Sequence, residues 1–479
     1  MHLFGIEAME ISQVVSLSSN SSEVTLPPEV YDSLERSHLD SLTASENGVA
    51  YGRTTGVGAN RNVIADDADG SHGMRLIQSH AAGSGRAYPI DVARAGMVVR
   101  AHQLSQPGSG IRPAVVVALV DALRAGRVSP FREFGGIGTG DITVLGELAA
   151  CLTGLQPWSD GIVQRFAEPF DASDALSFMS SSAPTLGLAA HSLERLATVI
   201  KASWTVAALS SVPIRANRQQ WSEVAQSTRP SPGVTECMTV IRRLLDGTDY
   251  ETARTQDPLA YRVMPFIFGP LLETFGHAVD ETNATINSRI ENPRFTAGGV
   301  WHHGAFNLTS VALAFDTLRL AMCQWASSSV ARIVKLNDPA YTDQGRFLAT
   351  GPAGSSGVMV LEYCAASALE KVRTLAEPSS RNTTSISIGT EDHAPFASRS
   401  VAATFDVFEA FETVVACELL TTVRAIRGCR TATLGGPMND LLEACSALPR
   451  DTEDRVLVND VDRARSFLPA LADLYSLGQ

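Results

Sequence analysis

The spacing of apolar residues along the chain is mostly that of α-helices. From Pro113 to Ala125 apolar residues cover most of one helix face, with the proline suited to the first turn and Gly126 suited to ending the helix. Thr309–Leu336 and Ser398–Ile426 each keep helical spacing for about seven turns, which gives rods of about 40 Å. One face of the second rod carries a set of apolar side chains: Val407, Phe408, Phe411, Val415 and Leu419. The pattern therefore predicts a mainly α protein with a central bundle of long helices, extended across a subunit interface.

Polar stretches mark the predicted interruptions between helices. Ser16–Tyr31 predicts a loop that leads into a helix with Pro28 in its first turn. Gln226–Thr235 and Ala376–Pro395 are further predicted breaks, and the second is rich in serine, threonine and asparagine. Strand signals are few and short, so no large sheet is expected.

Composition and charge exclude several classes of protein. The chain has 479 residues, of which 44% are apolar, and its mean hydropathy of +0.05 is typical of a globular protein. It carries 51 acidic and 38 basic residues without a basic run, so a nucleic-acid partner is not expected. The longest apolar run, Ala114–Val120, is too short to span a bilayer, and the N-terminus has no signal-peptide pattern. We expect a cytoplasmic protein with a small-molecule substrate and no membrane partner.

The seven cysteines predict reduced thiols rather than disulfides or a metal site. Their number is odd, no two form a CxxC pair, and no histidine lies at metal-ligand spacing. His302 and His303 also lack companions for a metal, and they indicate a solvated turn. No metal ligand is therefore expected.

Candidate chemistry begins at a glycine-punctuated loop that carries one phenol. Residues 51–58 read YGRTTGVG, and glycines allow such a loop backbone angles with which it folds over a ligand. Further short motifs follow along the chain: QSHAAG at 78–83, GSGIRP at 108–113, GGIGTGD at 135–141, QDP at 256–258 with Arg262, ENP at 291–293 and EDH at 391–393.

In this order the motifs resemble those of the histidine and phenylalanine ammonia-lyase family, from about residue 40 to about residue 430. The resemblance implies an ammonia-lyase (fumarase/aspartase-like) fold and a homotetramer whose active sites are shared between subunits. It also implies elimination of ammonia from an aromatic amino acid by an electrophile, methylideneimidazolone, made by cyclisation of an internal Ala-Ser-Gly. We expect an N-terminal domain, 1–195, with the Tyr51 loop and the loop that matches this triad. The remaining residues, 196–479, are expected to form the long-helix bundle and a C-terminal helical region.

The loop that corresponds to Ala-Ser-Gly departs from the family. The segment 136–143 is one residue short, and Thr139 stands where the cyclising serine belongs. Cyclisation requires the Gly140 amide nitrogen to attack the carbonyl two residues earlier, after which the hydroxyl leaves as water. From threonine this chemistry would give a hindered ethylidene instead of a methylene. We therefore predict that the protein has no methylideneimidazolone and no other cofactor.

Side chains that support the family's electrophile and substrate are changed as well. His191 and Ser192 stand in the segment where the family has an asparagine, and Leu259 replaces a tyrosine. Ala305, before Phe306, replaces a carboxamide. We predict that these side chains, with that of the altered loop, line the substrate cavity: Thr139, His191, Ser192, Leu259, Ala305 and Phe306.

Other family positions are retained. Tyr51 matches the catalytic base and His80 the histidine of the SHAAG segment. Arg262 matches the residue that pairs with the substrate carboxylate, and Glu391 the acid near the substrate amine. The resemblance therefore implies that Tyr51, His80 and Glu391 are catalytic and that Arg262 binds substrate. The alternative for each is a structural role as a core tyrosine, a packed histidine or a member of an ion pair.

These residues point to acid–base chemistry on an activated substrate. A tyrosine with the ordinary pKa of about 10 is too weak to remove a β-hydrogen from a plain amino acid without an electrophile. We expect elimination, isomerisation or conjugate-addition cyclisation of an activated amino-acid-derived or aromatic molecule, in specialised metabolite biosynthesis. One alternative is a genuine aromatic ammonia lyase or aminomutase with a cofactor derived from Thr139. Another is a catalytically silent structural subunit.

Overall fold

A computed structural model describes residues 2–19, 24–46 and 48–476, and most of them are helical. The α-helices within these ranges are α1 (Ile11–Ser19), α2 (Pro28–Glu46), α3 (His72–His80), α4 (Ile90–Leu104), α5 (Pro113–Arg124), α6 (Ile142–Leu152), α7 (Ala175–Met179), α8 (Ala183–Ser210), α9 (Glu223–Thr228), α10 (Pro232–Leu244), α11 (Leu259–Arg262), α12 (Met264–Ile286), α13 (Thr309–Leu336), α14 (Pro339–Thr342), α15 (Val360–Leu375), α16 (Ala397–Gly428), α17 (Gly436–Ala444) and α18 (Val458–Ser476). The mainly α prediction is confirmed.

The strands are short and occur in pairs. The described part of the chain contains four two-stranded sheets, of which one is parallel and the other three are antiparallel. The parallel pair is β1 (His2–Leu3) with β2 (Val24–Thr25). The antiparallel pairs are β3 (Ser84–Ala87) with β4 (Arg132–Phe134), β5 (Asp249–Tyr250) with β8 (Ala432–Thr433), and β6 (Arg294–Thr296) with β7 (Gly299–Trp301).

The long apolar patterns predicted helix bounds well. Helix α5 begins at Pro113 and ends one residue before Ala125, and α13 has the predicted bounds. Helix α16 extends the predicted rod by one residue at its start and two at its end. Helix α2 begins at Pro28, as predicted. A proline fits a first turn because the amide hydrogen that it lacks would have no partner there.

Two predicted breaks were wrong at their edges. Helix α1 continues to Ser19, past the predicted start of the loop at Ser16, because Val14 and Leu17 are buried on one face of it. Part of that predicted loop, residues 20–23, lies outside the described ranges. In the second case α10 begins at Pro232, inside the predicted break at 226–235. Ser231 caps this helix, since its side chain accepts a hydrogen bond from the Val234 amide.

The chain divides into two compact units that alternate along the sequence. Unit 1 comprises residues 1–194, 278–316 and 378–405, and unit 2 comprises 195–277, 317–377 and 406–479. Four of the five boundaries fall within helices: α8, α12, α13 and α16. Each unit is built from separated segments, so the units do not correspond one to one with the predicted domains 1–195 and 196–479. That domain division remains a prediction.

Unit 1 has a core around α4, which is buried along nearly its whole length. A helix buried on all faces must satisfy its charged side chains internally. Arg100, which is fully buried, donates to Glu291 at 2.6 Å. Helix α4 also lies very close to α8, since a Cβ atom on Gly187 would come within 2.3 Å of the Gly96 nitrogen. Close helix packing therefore requires glycine at residue 187.

Unit 2 has an aromatic core. The ring centroids of Trp204 and Trp325 each lie 4.8 Å from the ring centroid of Phe268. All three side chains are buried. Beside them Arg332 pairs with Glu418 at 2.5 Å, and neither side chain is exposed. In the described part of the chain no helix is long and apolar enough to cross a membrane.

Candidate functional site

Four loop segments of unit 1 are joined by hydrogen bonds around the predicted catalytic tyrosine. We call them together the four-loop site, and they are residues 51–61, 137–141, 302–308 and 386–396. The sequence places these segments far apart, so their association is a property of the fold.

The segment 302–308 connects the tyrosine loop with the loop that departs from the family. The Tyr51 backbone amide donates to His302 Nε2 at 3.2 Å, and the Leu308 amide donates to the Gly138 carbonyl at 3.0 Å. Nε2 can accept this hydrogen bond only if it carries no proton. Because both ring nitrogens of a charged histidine carry protons, the bond requires a neutral His302 ring. His302 is exposed, as the predicted solvated turn requires, but its contact with the tyrosine loop was missed.

The segment 386–396 binds the same two loops from another direction. The Ala59 amide donates to Ser387 Oγ at 2.9 Å, and the Phe396 amide donates to the Ile137 carbonyl at 2.9 Å. Each of the four segments is therefore joined to at least one other by a hydrogen bond from a main-chain amide, to a carbonyl in two cases and to a side chain in the two bonds of segment 51–61.

The Tyr51 phenol makes a hydrogen bond within its own loop. Its oxygen accepts a hydrogen bond from the Gly58 amide at 2.7 Å. Gly58 has φ +58°, and a Cβ atom there would lie 2.4 Å from Ser387 Oγ, so this turn requires glycine. Burial raises the pKa of Tyr51 above its ordinary value, and the Glu391 charge raises it further. The Gly58 amide and the Arg61 charge act in the opposite direction. The phenol is therefore protonated at neutral pH, with its O–H free to donate away from Gly58.

Glu391 lies on a tight loop of the four-loop site. Its backbone pairs with that of Ile386 in both directions, at 2.8 and 3.3 Å. The preceding Thr390 accepts a hydrogen bond from Arg61 at 2.5 Å. The Arg61 and Glu391 charges are therefore close enough to the phenol to change its pKa: Arg61 lowers it and Glu391 raises it.

The loop around Thr139 has no room for the alanine that the family has there. Gly138 stands where the family has alanine, and its φ is +87°. A Cβ atom on Gly138 would lie 2.7 Å from the Ala397 nitrogen and 2.9 Å from Pro395 Cγ. The Ala397 backbone nitrogen and the Pro395 ring therefore occupy the space that the alanine methyl needs. The loop therefore has no room for the alanine of the family's Ala-Ser-Gly triad, and Thr139 itself is half-buried.

A buried acid follows this loop directly. Asp141 Oδ2 accepts a hydrogen bond from the Thr185 amide at 2.9 Å, whereas its buried Oδ1 has no hydrogen-bond partner. Burial raises the pKa of Asp141 to about 6. The acid borders a cavity of about 30 Å³ that Tyr88 and Ser398 also line. Asp141 belongs to the GGIGTGD motif, and no signal in the sequence indicates that its carboxyl group is buried.

His80 lies at the end of α3 and is half-buried. Its Nδ1 donates to the Leu76 carbonyl at 2.8 Å, because a carbonyl can only accept. The neutral ring therefore keeps the lone pair on Nε2. Helix α3 packs against α6, where a Cβ atom on Gly146 would come within 3.0 Å of the His80 carbonyl carbon. Helix α6 begins directly after the 137–141 loop. Its contact with the His80 backbone therefore places His80 next to the helix that follows Thr139.

His191 and Ser192 make contacts with other elements. His191 is buried, with Nε2 at 2.9 Å from Ser18 Oγ on α1 and Nδ1 at 3.8 Å from Asp91 on α4. Ser192 donates to the Leu188 carbonyl of its own helix at 2.8 Å. Their contact with a substrate remains a prediction.

Ala305 and Phe306 lie within the four-loop site. Ala305 is exposed, and its amide donates to His303 Nδ1 at 3.2 Å, while Phe306 is half-buried. The next residue, Asn307, accepts from the Thr309 amide at 3.0 Å and so caps α13. Its Nδ2 lies 3.3 Å from Nδ1 of His393, a further link between two segments of the site.

Leu259 and Arg262 belong to unit 2, on the short helix α11. Leu259 is 58% exposed, and Arg262 donates to Gln256 Oε1 at 2.6 Å. No described hydrogen bond joins either residue to the four-loop site, so their contact with substrate remains a prediction. Within the described ranges no group of three or more histidine, cysteine or acidic side chains is arranged to hold a metal ion.

Comparison with known proteins identifies the relatives of this chain. The family model described as aromatic amino acid lyase matches residues 9–447. Histidine ammonia-lyase from Geobacillus sp. (strain WCH70) is 27% identical over 467 residues, which cover 92% of this chain and 91% of that protein. The resemblance inferred from the motifs is therefore confirmed.

Solved structures share the fold. Ergothionase from Treponema denticola, an ergothioneine-degrading enzyme in complex with desmethyl-ergothioneine sulfonic acid, superposes with a TM-score of 0.90 at 21% identity. The match covers 100% of this chain and 99% of that one. Histidine ammonia-lyase from Trypanosoma cruzi gives a TM-score of 0.88 at 22% identity, over 99% of this chain and 94% of that one. The predicted ammonia-lyase fold is confirmed.

Proposed function

Because the chain belongs to the aromatic amino acid lyase family, we propose that it is a lyase-type enzyme that works without methylideneimidazolone. Its substrate is an activated amino-acid-derived or aromatic small molecule. Its reaction is an acid–base elimination, isomerisation or conjugate-addition cyclisation. The observation that carries this proposal is the four-loop site itself, in which the phenol of Tyr51 is held while the Ala397 backbone nitrogen and the Pro395 ring fill the space for an alanine at 138.

The chemistry follows from the missing electrophile. Removing a hydrogen next to an unactivated carbon needs an electron sink. The lack of room for an alanine at residue 138 supports the proposal that the 137–141 loop does not form the electrophile used in the family. A thioester, a carbonyl or a conjugated double bond in the substrate supplies that sink. The protein then needs only an oriented proton donor and acceptor, together with groups that stabilise charge.

Tyr51 is the proton-transfer group in this proposal. As a neutral phenol it donates its proton to a carbanion or enolate formed by addition, and as a phenolate it takes the proton back in the elimination direction. The Gly58 amide stabilises the phenolate form, because it donates to the same oxygen. Glu391 favours a cationic amine on the substrate, and the Nε2 lone pair of His80 provides a second proton acceptor.

The remaining predictions belong to the same proposal. Arg262 pairs with a substrate carboxylate, and the protein is a homotetramer that shares active sites between subunits, as in the family that the motifs resemble. Thr139 and Phe306 line the substrate cavity. The ergothionase structure supports a wider range of substrates for this fold than histidine alone.

Solvent hydrogen exchange tests the proposal without knowledge of the product. Thioesters of aromatic amino acids and of arylpropionic acids are incubated with the protein in deuterium oxide, and deuterium entry next to the carbonyl or at the β-carbon is followed by mass spectrometry. We expect exchange with at least one of these substrates and a loss of about 100-fold in Tyr51→Phe, since one proton-transfer group typically contributes this much.

The matched control is Tyr363→Phe, which changes an exposed tyrosine outside the four-loop site. It should leave the exchange rate unchanged. If Tyr51→Phe also leaves the exchange rate unchanged, Tyr51 is not the proton-transfer group. If none of the activated substrates exchanges, the proposed reaction is contradicted and the silent structural subunit is favoured.

A further inference from the structure

An open groove in unit 1 is lined by three arginines, and we call it the arginine groove. Arg36 belongs to α2, Arg289 to the loop after α12, and Arg294 to β6. The groove has a volume of about 350 Å³, which suits a small molecule. Asp40 is the one acidic residue among the described residues that line it. We propose that the arginine groove binds the phosphate group of a phosphorylated small molecule.

Hydrogen bonds from main-chain amides join the elements that line the groove. The Gly108 amide donates to Ser37 Oγ on α2 at 2.9 Å, and the Phe295 amide on β6 donates to the Gly108 carbonyl at 2.8 Å. Gly108 therefore links helix α2 to strand β6. The guanidinium of Arg294 lies over this glycine, since a Cβ atom on Gly108 would come within 3.4 Å of Arg294 Nε. These contacts fix the shape of the groove before any ligand binds.

The three guanidinium groups lack a partner of opposite charge. Within the described ranges, Arg36 and Arg294 make no hydrogen bond or ion pair, and Arg289 donates to the uncharged Gln106 Oε1 at 3.2 Å. Burial lowers the pKa of Arg289, and the charge of Arg294 lowers it further, whereas Glu291 acts in the opposite direction. Like charges held close together in this way favour a bound anion, because the anion offsets their repulsion.

The donors of the groove match the chemistry of a phosphate group. A guanidinium presents paired N–H donors that fit two phosphate oxygens at once. The hydroxyl of Ser37 adds a donor, since its oxygen accepts from the Gly108 amide and its hydrogen is directed to no described group. Three positive charges and one negative charge leave the groove with a net positive charge of two. A phosphate ester with nearly two negative charges at neutral pH complements it.

The groove adjoins the tyrosine loop through one aromatic ring. Phe295 lines the groove, and the Arg53 guanidinium of the tyrosine loop lies 4.2 Å from the centroid of the Phe295 ring. None of the described residues that line the groove belongs to the four-loop site. The proposed ligand is therefore bound beside the tyrosine loop and not by the predicted catalytic residues.

Isothermal titration calorimetry of the full-length protein tests the proposal. Inorganic pyrophosphate and ADP are titrated separately at low salt, so that a free diphosphate is compared with a diphosphate on an organic molecule. We expect saturable binding of both at one site per chain. Tighter binding of ADP would show that the groove also holds the organic part, and equal binding would show that the diphosphate alone is recognised.

Substitutions of single charges locate the binding. Arg36→Gln and Arg294→Gln should each weaken pyrophosphate binding about 10-fold, because each removes a charged hydrogen-bond donor. Asp40→Asn should instead tighten it about threefold, because it removes the negative charge that repels the ligand. The matched control, Arg229→Gln, changes an exposed arginine of unit 2 and should leave binding unchanged.

The gain expected from Asp40→Asn keeps the test independent of how the variants fold, since a damaged fold would not bind an anion more tightly. The inference is overturned if neither pyrophosphate nor ADP binds at millimolar concentration, or if Arg294→Gln and Arg229→Gln bind pyrophosphate equally well. Malonate, a dicarboxylate, binding as tightly as pyrophosphate would also overturn it. Turnover at the four-loop site does not enter these readouts, so failure here is distinct from failure of the proposed function.

Discussion

At the scale of single residues, the carboxyl group of Asp141 joins the four-loop site to the stability of the fold. Its pKa of about 6 exceeds the ordinary value because burial disfavours the charge. The folded state therefore binds a proton more tightly than the unfolded state. Stability contributed by this proton is present below about pH 4 and is lost as the pH rises to about 6.

We expect Asp141→Asn to remove this pH dependence. The loss for the unchanged protein, over a pKa shift of about two units, is about 3 kcal/mol between pH 4 and 7. Urea unfolding of the variant should show a correspondingly flatter profile, and the control Asp392→Asn, at an exposed position, should keep the original slope. A variant with the same slope as the unchanged protein would show that Asp141 is ionised without cost.

The charges around Tyr51 make a second prediction at this scale. Glu391 raises the pKa of the phenol and Arg61 lowers it. Glu391→Gln should therefore lower the pKa of Tyr51, and Arg61→Gln should raise it, since each removes one charge. NMR titration with carbon-labelled tyrosine measures both shifts. Shifts in the same direction, or none, would contradict the placement of these two charges.

At the scale of single elements, the loop of residues 137–141 depends on glycine at residue 138. Gly138→Ala adds a methyl group 2.7 Å from the Ala397 nitrogen, at a residue with positive φ. We expect destabilisation of about 2 kcal/mol or more, measured by urea unfolding. The control is Gly304→Ala in the same site, where an added Cβ meets nothing within 4 Å. Equal stability of the two variants would mean that the 137–141 loop has room for the family's alanine.

The elements also separate what the sequence could predict from what it could not. Long amphipathic runs gave the bounds of α5, α13 and α16 because helical spacing persists over many residues. Short elements depend on single hydrogen bonds, as at the Ser231 cap that starts α10 inside a predicted break. The links to His302 and His393 were missed for the same reason, since a lone histidine carries no periodic signal.

At the scale of the whole molecule, the order of short motifs was sufficient to identify the family and the fold. The order of the motifs reflects the order of the elements along the chain, whereas the burial of a side chain depends on how those elements pack. No spacing in the sequence shows that Asp141 is buried with one carboxylate oxygen unpaired. The same limit applies to Arg262, whose contact with substrate in a homotetramer remains a prediction.

The account as a whole depends on one chemical statement, that the backbone of residues 138–140 stays an ordinary peptide. Intact mass spectrometry of the denatured full-length chain measures it most directly. We predict the mass calculated from the sequence. A mass lower by two water molecules, located by fragmentation at Gly138–Gly140, would contradict the account and restore a genuine ammonia lyase or aminomutase with a ring derived from Thr139.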